Sequence, residues 1–456
     1  MDNYRPNQLP GNVAVNTSED KLVIDQGVPG VKSISPDSLV KSVIPQSSIN
    51  KIGTSVQSVN GVTPGSDGSV YISAEFTNYQ NSKIEAESRE YADSVLWIKT
   101  AGYYSPGDGG SALYKRVISE PSHYGKFSSL NGVWFEIAEE FPNALQFGAK
   151  FNFVLSSQTG QDDTASIQGL IDYLSSRPRG GRGVLPSGNS LVTKLTLKTN
   201  VAIHGAGEEQ TWIYQKVGVN GDIFYGEAVD QFELKYFSIN GQYFVSDWNS
   251  SPGVLGNTSG GGVVFDGHAW DIDIGIFNIA GIGLHCKNAT SASPSIDYDD
   301  ESVLSVDVRV TGKEGIVIQG HNGLGDGRMT RAWAGLTGLL PLPSAQTNIS
   351  MSDVYPGEPA NGIVMDTVNV EYGDVHTYAC WSGIGFVTKN NARMTTSRPI
   401  ISESNRGQVL LSDGTYGFAD FQCRNLGRLH PNWTGAIPTD VNDNPYLDGV
   451  TINSLR

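Results

Sequence analysis

The sequence predicts an all-β fold in which short strands are wound into a solenoid. Three observations predict it. From residue 195 onward, short runs rich in Val and Ile alternate with Gly and Asn turns, as at 232–241, 262–283, 303–320, 362–372 and 383–388. The alternation recurs irregularly, at roughly 20–50 residues, the spacing of repeat architectures. The 456 residues include 54 Gly and 21 Pro, with 38% hydrophobic and 17% charged, which suits many short strands joined by tight turns. One turn of such a coil cannot bury its own apolar face, so stacked neighbours must make the core.

Residues 1–75 are polar and rich in turn signals. Asn60-Gly61 and Asp67-Gly68 supply the positive φ that tight hairpins need, and Val56, Val59, Val62, Val70 and Ile72 beside them read as short strands. So little apolar material makes no core of its own, and docking or trimerisation is expected. Residues 76–99 predict a neck helix with a coiled-coil-like seam. Ile84, Tyr91 and Ile98 recur every seven residues, Val95 follows Tyr91 by four, and Glu85, Glu87, Arg89 and Glu90 fill the other face. Residues 100–141 form a small Gly- and aromatic-rich β module, from Ala101-Gly102-Tyr103-Tyr104 to Gly132-Val133-Trp134-Phe135-Glu136-Ile137. No Gly-Lys-Ser or Gly-Lys-Thr ends its glycine run, so a tight structural turn is expected there rather than a phosphate cradle. Residues 142–425 carry the solenoid. It opens with a helix whose Ile167, Leu170, Ile171 and Leu174 share one face, with Asp163 at the N-cap position. Residues 426–456 read as a polar tail.

The net charge of −16 excludes a sequence-independent nucleic-acid binder, which needs a basic footprint. It also argues against a heavily anionic ligand unless Lys and Arg are gathered locally. Cys286, Cys380 and Cys423 are far apart and odd in number, so they read as small buried residues, not as disulfides or a metal site. That fits assembly in a reducing cytoplasm. Neither a signal peptide nor a membrane span is expected: the first residues lack a basic-then-apolar pattern, and no run of 18 apolar residues occurs.

Five pieces follow in order over about sixty residues: Phe147-Gly148-Ala149, Asp162-Asp163-Thr164-Ala165-Ser166-Ile167-Gln168, Leu185-Pro186-Ser187-Gly188, Asn200-Val201-Ala202-Ile203 and Gly205-Ala206-Gly207. Together they resemble the opening of the pectate-lyase superfamily. The resemblance implies a short capping helix leading into a right-handed parallel β-helix. The unit at 102–117, Glu120-Pro121-Ser122-His123 and the 56–72 segment resemble the parts that precede β-helices in bacteriophage tailspikes. The likeness covers most of residues 55–425. It implies a homotrimer at the virion tail, assembled in the host cytoplasm and acting at the outer surface of a bacterium. Its expected ligand is a capsule, exopolysaccharide or lipopolysaccharide. By position, residues 1–75 correspond to a virion-attachment or adaptor segment that docks on tail or baseplate proteins. No cofactor, metal, nucleic acid or membrane insertion is implied.

Candidate chemistry sits on the outward strand positions. Matching Gly281-Ile282 to Gly315-Ile316 aligns Ile272, Ile274 and Ile276 with Val306, Val308 and Val310. In that register Asp273 and Asp307 stack about 4.8 Å apart on the outer face, one strand spacing. Glu371 on 368–372 points outward near the same file, and an apparent insertion at 373–382 adds Asp374, His376, Tyr378 and Trp381. Paired carboxylates are what a glycosidase needs, at about 5–5.5 Å for retention or about 6.5–9.5 Å for inversion. Asp273, Asp307, Glu371 and Asp374 are therefore the catalytic candidates, and Arg309, His376, Tyr378 and Trp381 the substrate-binding ones. Outward carboxylates on a solvated sheet are also ordinary, and that plainer reading stands beside this one.

Two more specific enzyme patterns fit less well. Asn257-Thr258-Ser259-Gly260, Asp299-Asp300 and Gly320-His321-Asn322-Gly323 resemble the pieces of polygalacturonase-type hydrolases, but Ser259 stands where that pattern has Asp and Asn322 where it has Gly. Arg398 and Arg406 lack the acid cluster that accompanies the base of a calcium-dependent pectate lyase. Three functional readings follow: a tailspike that depolymerises a host polysaccharide, by hydrolysis rather than elimination; a non-catalytic tailspike that binds glycan or anchors other fibres; and a secreted bacterial polysaccharide lyase or hydrolase.

Overall fold

The computed structural model describes residues 13–16, 21–24, 78–245, 256–287, 302–319, 327–341, 354–356, 360–366, 369–380, 383–390, 392–396, 398–403, 405, 407–411, 414–417, 421–424 and 450–452. The chain divides into two compact units, Met1–Thr77 and Asn78–Arg456. In the first, Val13–Asn16 pairs antiparallel with Lys21–Ile24. The strands expected at 56–72 lie outside the described residues.

The second unit opens with a five-stranded sheet ordered Tyr79–Gln80, Trp97–Thr100, Leu113–Val117, Trp134–Ile137, Lys126–Ser128. Its strands alternate in and out, and Ile98, Tyr114, Phe127 and Phe135 make the core. The neck helix is a correction. Only Lys83–Glu87 is helical, capped by Ser82, which accepts the Glu85 N–H at 3.0 Å. Ile84 is exposed, Tyr91 lies in irregular chain, and Ile98 is a buried strand residue. The heptad spacing was fortuitous: the helix ends at Glu87 with Ser88 as its C-cap, and 97–100 follows the period of two that its pairing with Leu113–Val117 demands. The glycine run at 102–110 is a tight turn gathered by Asp108, whose carboxylate accepts the N–H groups of Tyr103, Tyr104, Ser105 and Gly110. Burial raises that carboxyl, and the four N–H groups together outweigh it and hold it below its ordinary value.

The helix Thr164–Ser176 forms where the sequence places it, and Ile167, Leu170, Ile171 and Leu174 are buried. It packs on the first rung at Gly183, where a Cβ would stand 2.9 Å from Leu170 and Leu174. Asp163 occupies the N-cap position but does not cap. Its buried carboxylate accepts the N–H groups of Lys150 and Phe151, and the neighbouring Asp162 accepts that of Thr164.

Beyond the helix the chain is a parallel β-helix. One side is a nine-stranded sheet, Leu195–Thr196, Phe224–Gly226, Val263–Phe265, Leu284–Cys286, Ile316–Gln319, Ile363–Asp366, Ile384–Lys389, Gly407–Leu411 and Val450–Ile452, every neighbour parallel. The coil thus includes 450–452, within the segment read as tail. The other sheet has four long strands at its centre: Glu233–Asn240, Asp271–Ile279, Val303–Thr311 and Gly327–Gly335. Each long strand serves two successive sides. The first half of Gly327–Gly335 pairs with Asn369–Tyr372, its second half with Val375–Tyr378. The supposed insertion at 373–382 is therefore the second half of a rung.

Inward residues stack file on file. Phe237, Ile274, Val306, Ala332, Val375 and Ile400 follow one another across rungs, all buried. Each rung then turns its corner on a residue with positive φ: Asn278 at 59°, Val310 at 64°, Leu336 at 56° and Ala379 at 52°. Asn tolerates that conformation, whereas Val310 holds it under strain.

The register corrects the alignment of the two aspartates. Ile272 pairs with Leu304, Ile274 with Val306 and Ile276 with Val308, so Asp273 lies beside Ser305, and Asp307 beside Gly275. The two are offset by two residues and do not stack. The cause is a doubled glycine: Gly283-Leu284, not Gly281-Ile282, is the equivalent of Gly315-Ile316, since Leu284 pairs with Ile316 and its N–H donates to Gly315 O at 2.9 Å.

Candidate functional site

Strand alternation sends two files of side chains outward from the second halves of the long strands. One runs Ser238, Gly275, Asp307, Trp333, His376, Ile401. The next runs Asn240, Phe277, Arg309, Gly335, Tyr378, Glu403. Where they meet there is an open cavity of about 430 Å³, lined by Arg309, Trp333, His376, Tyr378, Ala379 and Glu403. Gly335 makes room for it. A Cβ there would lie 2.3 Å from the Tyr378 ring, so only glycine lets that ring lie flat across the rung toward Arg309.

Charge and aromatic contacts fix the lining. Arg309 Nε donates to Asp307 Oδ1 at 2.9 Å, and its Nη2 pairs with Asp307 Oδ2. This two-pronged bond raises the Arg309 pKa and fixes the guanidinium to the Asp307 carboxylate. Asp307 is only 5% exposed, and both its oxygens are engaged. Trp333 meets His376 edge to face at 5.6 Å, and His376 lies 5.5 Å from the Tyr378 ring. His376 Nε2 is 3.9 Å from Glu403 Oε2. Burial pushes the Tyr378 hydroxyl far above its ordinary value, so it stays protonated and able to donate. The Trp333 indole N–H is buried without a hydrogen-bond partner among the described residues.

The lining continues toward earlier rungs. The Arg309 guanidinium lies 5.9 Å from the Phe277 ring centre, Phe277 is 5.3 Å from Trp212, and Trp212 stacks on Tyr214 at 5.8 Å. Trp212 to Glu403 spans six rung steps, roughly 29 Å at the usual strand spacing. Beside this strip Arg331 pairs with Glu208 and lies 3.7 Å from Asp273.

Of the residues singled out from sequence, Arg309, His376 and Tyr378 come together in the cavity wall. Asp307 stands behind Arg309. Asp273 sits on the same face but in the Arg331 cluster. Asp374 precedes the Val375–Tyr378 strand, with its carboxylate 4.0 Å from Arg398. Glu371 lies beside Arg328 and Thr395, on the first half of the rung and away from the cavity file. Trp381, Asp299-Asp300 and 320–323 lie outside the described residues. Asn257 is buried, with its amide donating to Gln215, Lys216 and Gly241, a structural role. Trp333, Glu403, Arg331 and Glu208 were missed. One signal existed: Arg331-Ala332-Trp333-Ala334 alternates large polar or aromatic residues with small ones, which marks a strand with a loaded outer face. Among the described residues no group of three or more His, Cys, Asp or Glu side chains is placed to hold a metal ion, and no helix is long and apolar enough to cross a membrane.

No family model matches the sequence, and no curated protein matches it. Among solved structures the chain is similar to several bacteriophage tailspikes. Full-length tailspike protein 2 of an Escherichia coli bacteriophage is 14% identical, with a TM-score of 0.43 over 90% of this chain and 56% of that one. A tailspike of an Acinetobacter baumannii bacteriophage, described as a capsular polysaccharide depolymerase, is 11% identical, with a TM-score of 0.48 over 75% of this chain and 64% of that one. The mannuronan C-5 epimerase A-module of Azotobacter vinelandii is 13% identical, with a TM-score of 0.31 over 68% of this chain and all of that one. The chain thus spans less than two thirds of the length of either tailspike.

Proposed function

We propose that this chain is a tailspike subunit that binds a bacterial surface polysaccharide along the outer face of its β-helix and shortens it at the Arg309–Glu403 cavity. The supporting observation is that cavity: an open trough continuous with an aromatic strip, with a carboxylate, an imidazole, a phenol and a guanidinium converging on it. Sugar rings present apolar C–H faces and polar edges. Trp333, Tyr378 and Phe277 suit the faces, and Arg309, His376 and Glu403 suit the hydroxyls. Glu403, with His376 beside it, is the acid–base candidate within the wall. Asp307 is a positioning residue that holds Arg309. Asp374, Asp273 and Glu371 remain the further carboxylates to test singly. The proposal includes a homotrimer docked on the virion tail through residues 1–75.

A second reading, binding without cleavage, is favoured by one observation: the buried carboxylate nearest the cavity, Asp307, is fully engaged by Arg309. One experiment separates the two. Purified protein is incubated with surface polysaccharides of candidate hosts, then the polymer is sized and its reducing ends are counted. Shortened chains with new ends establish the depolymerase. Intact chains that co-elute with the protein establish the binder. Neither outcome with any polysaccharide refutes the proposal.

A further inference from the structure

We infer that the polysaccharide is uncharged along the stretch that the face grips, a polymer of neutral or N-acetylated sugars rather than a polyuronate. This rests on the glycan reading above and deepens it. The argument is the local charge inventory. Among the described residues, the outer face around the cavity carries the ion-paired or cavity-lining carboxylates Glu208, Asp273, Asp307, Asp374 and Glu403, with Glu209 exposed beside Glu208, against the guanidinium groups Arg309, Arg331 and Arg398. Each of those guanidinium groups already faces a carboxylate: Arg309 faces Asp307, Arg331 faces Glu208 and Asp273, and Arg398 faces Asp374. The engagement is strongest at the cavity itself, where two parallel hydrogen bonds tie Arg309 to Asp307. Glu403 lies in the cavity wall, and Glu209 is exposed on the turn before the strand Thr211–Gln215.

A uronate laid here would bring a negative charge against a face already in carboxylate excess, and would have to compete with Asp307 for Arg309. Like charges brought together in a partly desolvated trough repel more strongly than in open water. Neutral sugars meet no such cost. Their hydroxyls donate to Glu403 and accept from Arg309 and Tyr378, and their C–H faces cover the rings. The net charge of −16 over the chain acts in the same direction at longer range.

The test changes charge while keeping linkage. Full-length protein is screened against an array of purified bacterial polysaccharides sorted by repeat-unit charge. A neutral polymer that binds is then oxidised at its primary hydroxyls to uronates, and a portion is reduced back. Oxidation should weaken binding more than tenfold, reduction should restore it, and raising salt from about 20 mM to about 500 mM should narrow the gap by screening. Glu209→Lys, outside the cavity wall, should narrow it too. Preferential binding of uronate polymers, or an oxidised polymer that binds as well as its parent, overturns the inference while leaving the glycan reading intact. Binding to no member of the array removes the glycan reading, and this inference with it.

Discussion

The nine-stranded side and the long-stranded side of the coil share one parallel register, yet they present opposite outer faces. Inward, both are apolar: Phe224, Val263, Leu284, Ile316 and Ile363 on one, Phe237, Ile274, Val306 and Ala332 on the other. Outward, the first carries the nearly buried Val264, Val317, Val364 and Val387 with His285 among them, and Gln319, Asp366 and Lys389 in the next file, whereas the second carries Asp307, Arg309, Trp333, His376, Tyr378 and Glu403. The difference teaches which residues hold the coil and which are available for chemistry. Stacking constrains every inward position, because each fills the file above and below. It leaves alternate outward positions open, so the side on which aromatic and charged residues converge on a cavity is the candidate surface for function.

The comparison breaks most severely from inside. Phe237→Ala empties a fully buried position facing Ile274, and Phe224 is 6.0 Å away across the interior. It should cost about 3–5 kcal/mol, read as a lower urea midpoint, with glycan binding failing only as the coil unfolds. A cost under about 1 kcal/mol would mean that the two sides do not share a core. On the loaded face the order reverses. Glu403→Gln should leave the urea midpoint nearly unchanged and cut reducing-end release by about 10²–10⁴-fold, the range for losing a general acid or base. Val317→Ala, on the apolar face, should leave release unaltered. Equal release from wild type and Glu403→Gln sinks the assignment of Glu403.

Asp307→Asn sharpens the same contrast by separating position from chemistry. It removes one prong of the charged pair and frees Arg309 to move. We expect a loss of about 1.5–3 kcal/mol, the range for a hydrogen bond to a charged group, toward the lower end because Arg309 is half exposed. Glycan affinity should fall with it, while the pH profile of cleavage keeps its shape. A changed profile would make Asp307 a proton-transfer group and restore its place among the catalytic candidates.

Much of this was legible in the sequence, and the failures share a cause. Period-two alternation correctly gave Ile272, Ile274, Ile276, Val306 and Val308 as inward, and the helical face of Ile167, Leu170, Ile171 and Leu174 as buried. Those are local patterns. Register is not local. It depends on turn lengths, and with Gly281-Ile282-Gly283-Leu284 in the chain the choice of glycine moved Asp307 by two residues relative to Asp273. Trp333 and Glu403 were missed for a related reason. They stand 43 and 27 residues from His376 in the chain, and only the rung stacking that pairs Trp333 with His376, and Tyr378 with Glu403, brings them to one wall. The neck helix failed because a seven-residue spacing also fits three unrelated positions, one exposed and two buried in the sheet module.

The smallest expected effect tests whether the contrast extends to the first halves of the long strands. There Glu233 accepts from or pairs with His204 Nε2 at 2.9 Å, and Lys235 Nζ bridges to Asp271 at 2.5 Å. The hydrogen bond from His204 holds the Glu233 carboxyl below its ordinary range, against the opposing effect of burial, and Lys235 adds to the lowering. A depressed carboxyl contributes stability at pH above its unfolded value of about 4.3, and that contribution is lost as pH falls through the folded value. Asp271 acts in the opposite sense. Burial raises it, so protonation on acidification relieves rather than costs. Glu233→Gln removes the first contribution and also trims the second, because the Glu233 charge is a lesser cause of the Asp271 rise, so the variant should lose less stability than wild type between about pH 5 and pH 3, by the difference of the two. Because Glu233 is 40% exposed, solvent screening limits the difference to a few tenths of a kcal/mol, up to about 0.5. Urea midpoints at both pH values measure it. Val317→Ala, in an outward file free of carboxylates from Val264 to Val387, should show no such difference. Identical acid slopes for wild type and Glu233→Gln would confine the contrast between the two sides to the cavity rungs.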